Sequence, residues 1–163
     1  MELIATVNEK KVFHLDLRTE WEMEYVQSYS WVALVIAGSA APDRLDAILS
    51  ACKKYKTGYI VCSGETSGEA YSFFDLETFD AGNSEIERFE NPPCVIEKPS
   101  PADALWYSLY FATCEEGVLR AVVCFDCTDR GVKKYLAAQA GEMNEDESYL
   151  SPEPDEEVIE YDS

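Results

Sequence analysis

Seven consecutive residues, Cys124-Phe125-Asp126-Cys127-Thr128-Asp129-Arg130, carry two chemical signatures in overlapping frames, Cys-x2-Cys and Cys-x5-Arg. They lie where an apolar strand pattern gives way to a helix. Cys-x2-Cys serves as a redox pair when a helix N-terminus activates the attacking thiol, or as half of a zinc site. A zinc site needs a second ligand pair, and none is spaced to supply it. A redox pair sits at the helix start, whereas Cys124 still belongs to the strand. Cys-x5-Arg is the spacing with which backbone N–H groups and an arginine hold a phosphate beneath a thiolate. Here Asp126 and Asp129 occupy the loop, where their charge repels a dianion and raises the thiol pKa. Cys124, Cys127 and Arg130 are candidates on spacing alone, and no catalytic residue is assigned.

Glu65, Asp126 and Asp129 follow strand ends, where α/β sheets place their ligand crevice, and carboxylates gathered there bind magnesium. With 32 Asp and Glu among 163 residues, however, composition alone delivers acids at loop starts. Neither a metal site nor a cofactor is expected. His14, the only histidine, alternates with Phe13 and Leu15 and so faces away from them; it is expected as a strand-surface imidazole rather than a base. Gly38, Gly58, Gly64 and Gly68 form no glycine-rich phosphate loop.

The strongest compositional signal is at the other end of the chain. Residues Glu142 to Ser163 hold ten acidic side chains and no basic one, leaving −9 of the formal −19 on residues 1–141. Three readings compete. A solvated, disordered extension that confers solubility is the plainest. A second notes that Tyr149-Leu150, Val158-Ile159 and Tyr161 interleave apolar groups among acids, so the segment can dock on a basic, partly apolar surface or add to its own sheet's edge. The third is phosphate mimicry in the channel of a nucleic-acid enzyme. The residues expected to make the interaction are Glu153, Asp155, Glu156, Glu157, Val158, Ile159, Glu160 and Tyr161.

Charge also excludes classes. A field of one sign repels its own, and the densest basic runs are only Lys53-Lys54 with Lys56, and Lys133-Lys134. Direct nucleic-acid binding and anionic membranes are disfavoured. No apolar run reaches the roughly 20 residues that span a bilayer, and Met1-Glu2-Leu3-Ile4 lacks a basic signal region, so a cytoplasmic protein is expected. The six cysteines lie mostly in apolar settings such as Tyr59-Ile60-Val61-Cys62. They read as buried reduced thiols rather than a disulfide framework.

The elements that position these groups follow from hydrophobic period. Leu3 to Val7 and Val12 to Leu17 are short strands around the polar turn Asn8 to Lys11, a hairpin. Trp31 to Ala37 is a continuous apolar run closed by Gly38-Ser39, the pattern of a strand buried on both faces. Pro42 to Tyr55 carries Leu45, Ile48, Leu49 and Cys52 at helical spacing, with lysines in its last turn and Gly58 as the stop. Tyr59 to Cys62 is the next strand. Between Ser63 and Pro99 the pattern mixes Gly, acids and aromatics, allowing a short helix or extended piece and then a strand at Cys94 to Ile96. Ser100-Pro101-Ala102-Asp103 marks a helix start: a cap residue, proline at the first position and an acid in the first turn. Val118 to Phe125 is another buried strand, and Gly131 to Ala140 a final helix.

Tyr59 in its strand, Phe74-Asp75-Leu76-Glu77-Thr78-Phe79-Asp80 with Gly82, Arg88-Phe89, and Ala104-Leu105-Trp106-Tyr107 before the last apolar strand occur in the order found in a family of small bacterial α/β proteins with no activity assigned. The chain resembles that family over about 70 residues, departing from it at Cys94-Val95-Ile96, where the family tends to Thr and Trp, and in the acidic extension. The resemblance implies the fold and supplies no site.

Together these readings predict one three-layer α/β domain over residues 1–141. A mainly parallel sheet is flanked by helices, an N-terminal hairpin forms its edge, and residues 142–163 follow as a flexible acidic tail. The expected function is that of an acidic, non-enzymatic interaction protein, immunity-protein or inhibitor-like, whose charge selects a basic protein partner. The alternative is a small enzyme using thiol or metal chemistry at Cys124, Asp126 and Asp129.

Overall fold

The computed structural model describes residues 1–39, 43–79, 91–114, 117–153 and 155–163. Ten elements follow in order: β1 (Glu2–Val7), β2 (Lys10–Asp16), β3 (Trp31–Ala37), α1 (Asp43–Lys54), β4 (Tyr59–Ser63), α2 (Ser67–Phe79), β5 (Cys94–Glu97), α3 (Pro101–Tyr110), β6 (Ala121–Cys127) and α4 (Lys133–Glu145). The six strands form one sheet in the order β1-β2-β6-β3-β4-β5. All neighbours are parallel except β1 and β2, the expected hairpin. Asn8 and Glu9 turn that hairpin with φ of 51° and 63°, the left-handed pair that matches strand twist.

Helices cover both faces, because the central strands are apolar on both. On one face α1 and α2 bury Ile48, Cys52, Ala70 and Phe74 against Ala33, Val35, Ile60 and Phe125, and the segment 17–30 adds Met23 and Val26. On the other, α3 and α4 bury Leu105, Leu109, Leu136 and Ala140 against Val32, Leu34, Val61 and Cys124. Trp31, Leu34 and Phe125 are fully enclosed, each contributing roughly 1.5–3 kcal/mol relative to an exposed position.

The marked start of α3 is realised. Ser100 Oγ accepts from the Asp103 amide at 3.2 Å, with Pro101 opening the helix. Three expectations shift. The α1 stop is Lys56, left-handed at φ 50°, with the Thr57 amide donating back to Cys52 O at 3.1 Å; that left-handed turn finishes the helix before Gly58 is reached. Strand β6 begins at Ala121 rather than Val118, whose side chain is exposed. The ambiguous middle contains α2, a 13-residue helix. Pro42, Gly82, Arg88 and Phe89 lie outside the described residues.

From β3 the chain builds outward through α1, β4, α2 and β5, then returns beneath the opposite face as α3 and enters β6 on the other side of β3. The helix after β3 therefore leaves towards one face and the helix after β6 towards the other. Their diverging ends leave a crevice at the C-terminal edge of the sheet, the place where open α/β sheets bind ligands. Among the described residues no helix is long and apolar enough to cross a membrane.

Candidate functional site

The site is built where β2, β3, β4 and β6 end. Asp126, the penultimate residue of β6, has no exposed surface. Its carboxylate accepts from His14 Nε2 at 2.8 Å, Thr128 N at 3.0 Å, Thr128 Oγ1 at 2.6 Å and Val132 N at 2.8 Å. Burial pushes its pKa up, but these hydrogen bonds outweigh burial and hold the group below the ordinary carboxylate value. Thr128 Oγ1 in turn accepts from Gly131 N at 2.9 Å, so one buried carboxylate folds the whole turn into α4.

His14 is therefore not the strand-surface imidazole its alternation suggests. It is 5% exposed, because α4 covers the face opposite Phe13, and the parallel register places it beside Cys124, two residues before Asp126. It borders an open cavity of about 460 Å³ with Arg18, Trp21 and Lys133. An imidazole oriented by a buried carboxylate is half of a general-base arrangement. Among the described residues no hydroxyl or thiol is hydrogen-bonded to it.

The two cysteines do not form a pair. Three residues apart on a strand, they project to opposite faces: Cys124 is buried in the α3/α4 layer and Cys127 in the α1/α2 layer. Burial, then the charge of Asp126, raises both thiols, Cys127 to about 12 against the pull of Arg44. Both thiols are thereby held towards the protonated form, which works against redox or phosphatase chemistry. Glu65 is exposed at the crevice, Asp126 is consumed by its turn, and Asp129 Oδ2 accepts from Ser39 Oγ at 2.6 Å. Among the described residues no group of three or more His, Cys, Asp or Glu is placed to hold a metal.

The C-terminal segment lies in this site. The expected boundary at residue 141 falls inside α4, which continues to Glu145, and residues 157–163 return across the helix N-termini at the sheet's C-terminal edge. Glu157 Oε2 accepts from Ser100 Oγ at 3.0 Å, Ala102 N at 3.1 Å and Tyr135 Oη at 2.7 Å, placing its charge at the start of α3. Asp162 accepts from Lys133 N at 3.2 Å and Lys134 N at 2.9 Å at the start of α4, and its own amide donates to Gly131 O at 2.9 Å. Helix α4 needs this. Its N-cap is Val132, which supplies no side-chain hydrogen bond, and two lysines sit at its positive end, so a carboxylate there satisfies orphan amides and the dipole together. Between the two acids, Ile159 and Tyr161 pack against the α3/α4 core, and the Arg130 guanidinium lies 4.7 Å from the Tyr161 ring centroid. Arg130 Nε also donates to Ser163 O at 2.6 Å.

Gly131 makes the approach possible. Its φ is +80°, and a Cβ there would stand 2.6 Å from Asp162 Oδ2 and 2.9 Å from an Arg18 nitrogen. Of the residues singled out from sequence, Arg130, Glu157, Ile159 and Tyr161 thus meet at one place. His14 was expected on the strand surface, and Ser39, Gly131 and Asp162 escaped that reading. The one local signal was Gly131-Val132-Lys133-Lys134, a helix start with no cap of its own.

No family model matches the chain, and neither a curated protein nor a solved structure matches it. The site is read from its geometry alone.

Proposed function

We propose that this protein is a non-enzymatic interaction protein whose C-terminal segment, seated on the α/β body, presents carboxylates to a basic protein surface in the manner of an immunity protein or inhibitor. The observation that carries the reading is the alternation of that segment. Glu157, Ile159 and Tyr161 face inward and are half-buried, while Glu153, Asp155, Glu156, Val158 and Glu160 are exposed, Val158 at 85%. Anchored inward side chains hold the outward acids in a fixed row around one apolar group, which lowers the ordering cost of binding. A row of one sign steers encounter and selects the opposite charge.

The test replaces only the outward acids, as Glu153→Gln, Asp155→Asn, Glu156→Gln and Glu160→Gln together, and compares this chain with the original in affinity capture from the source cell's lysate at low and raised salt. A single basic protein retained by the original, released by salt and lost to the variant is expected. Equal retention by both chains, or no specific retention by either, overturns the reading.

A further inference from the structure

We infer that the crevice at the C-terminal edge of the sheet is a binding site for an extended acidic peptide of the form acid-x-aliphatic-x-aromatic-acid, and that residues 157–162 of this chain are its tethered, displaceable occupant. The inference concerns the inward face of the segment and goes beyond the partner proposed for its outward face, so either can fail without the other.

The segment is held as a ligand is held. It adds no strand to the sheet, and its backbone bond to the body runs from Asp162 N to Gly131 O. The remaining polar anchors are Glu157 at the N-terminus of α3, Asp162 at that of α4, Tyr161 on the Arg130 guanidinium, and Ser163, whose carbonyl accepts from Arg130 Nε and whose hydroxyl donates to Arg130 O. Ile159 and Tyr161 stay half-buried and form one wall of a residual crevice of about 120 Å³ whose other walls include Gly38, Thr128, Arg130 and Val132. That crevice lies between the ends of β3 and β6, where the fold places a ligand. The segment's carboxylates meet the positive ends of two helices rather than a basic patch, because at this edge Arg18 is paired with Asp16 and Lys133 with Glu2. Residues 146–153 and 155–156, outside helix and strand, join α4 to the occupant as a tether that holds it at high effective concentration, itself touching the body through Tyr149 Oη on Gln139 and Ser151 Oγ on Asp103.

The experiment uses full-length protein and a fluorescent peptide of residues 153–163. In one chain the inward anchors are removed as Glu157→Ala, Tyr161→Ala and Asp162→Ala together. That chain, confirmed folded by its near-ultraviolet aromatic spectrum, should bind the peptide saturably, and the original chain should bind it at least about tenfold more weakly because its tethered segment competes. Adding Arg130→Ala should abolish binding, and a scrambled peptide of equal charge should not bind. No saturable binding, equal binding by both chains, or equal binding of the scrambled peptide overturns the inference. Should the anchor-free chain fail to fold, amide exchange on the original chain decides. Exchange at Ala102, Lys133, Lys134 and Asp162, the amides that the docked segment protects, roughly a hundredfold faster than in β6 marks an occupant that leaves a folded body. Exchange at the rate of β6 makes the segment part of the cooperative core and overturns the inference.

Discussion

His14 and Asp126 lie 112 positions apart in sequence and 2.8 Å apart in the fold, both buried, joined across parallel strands β2 and β6. The pair links the N-terminal hairpin to the turn that opens α4. Because that turn carries Gly131 and Arg130, the same carboxylate sets the floor on which the C-terminal segment rests.

Asp126→Asn should be the costliest polar substitution at this edge. The amide nitrogen would face Thr128 N–H or Val132 N–H, two donors with no acceptor, at a cost of about 3 kcal/mol in urea unfolding at pH 7. The folded pKa of Asp126 lies below its unfolded value, so its stabilisation is complete above about pH 3.9 and is lost as pH falls through the folded value. The difference between original and variant should therefore shrink below pH 4. A gap that persists unchanged at pH 2 would contradict this assignment.

Thiol labelling should follow burial. Cys94 is exposed and Cys114 partly so, whereas Cys52, Cys62, Cys124 and Cys127 are buried. Iodoacetamide at pH 8 should modify Cys94 first and leave Cys124 and Cys127 unmodified until the protein is denatured, read by peptide mass spectrometry. Rapid alkylation of Cys124 in the native protein would reinstate thiol chemistry.

Two glycines should differ in what their loss disturbs. Gly64→Ala places a Cβ 2.3 Å from Ala37 O at φ +93°, a backbone clash between β3 and β4; it should cost well over the roughly 1–2 kcal/mol of a left-handed alanine and depress expression of folded protein. Gly131→Ala meets the movable ends of Asp162 and Arg18 instead. It should stay folded and speed amide exchange at Lys133 and Lys134. Equal melting temperatures for the two variants would show the packing difference to be immaterial.

Asp162→Ala removes the carboxylate that caps α4 from 28 and 29 residues away. A loss of about 1 kcal/mol is expected, the ordinary worth of a helix N-cap, and Asp162→Asn should keep part of it, because its amide oxygen can still accept from the Lys133 and Lys134 amides. An Asp162→Asn chain no more stable than Asp162→Ala would argue that Asp162 acts through its charge or its other contacts.

Much of the architecture was legible because it is written in local pattern. The apolar runs at 31–37 and 59–62 specify strands buried on both faces, and Ser100-Pro101 specifies a helix start, since capping and burial act over a few residues. Helix α2 was illegible for a related reason. Its buried stripe is Ser67, Ala70, Phe74 and Thr78, small or polar but for one residue, while Tyr71 and Phe73 flank the core half-buried and Leu76 is exposed, so hydrophobic period misreports its buried face.

The candidate site divides along the same line. Sequence by itself determined the layered α/β class, the buried cysteines' neighbourhoods and the acidic, aromatic-studded character of residues 142–163. Only the tertiary structure decided which carboxylates meet which donors. Strand β6 inserts between β2 and β3, bringing His14 to Asp126 and separating Cys124 from Cys127 across the sheet. The uncapped start of α4 is a deficit visible in sequence, but its remedy, Asp162, comes from a segment that α3 and α4 together must hold in place. Hydrophobic pattern is set by neighbours along the chain, whereas electrostatic and hydrogen-bond pairing is set by distance in space, and that distance exists only once the sheet order is fixed.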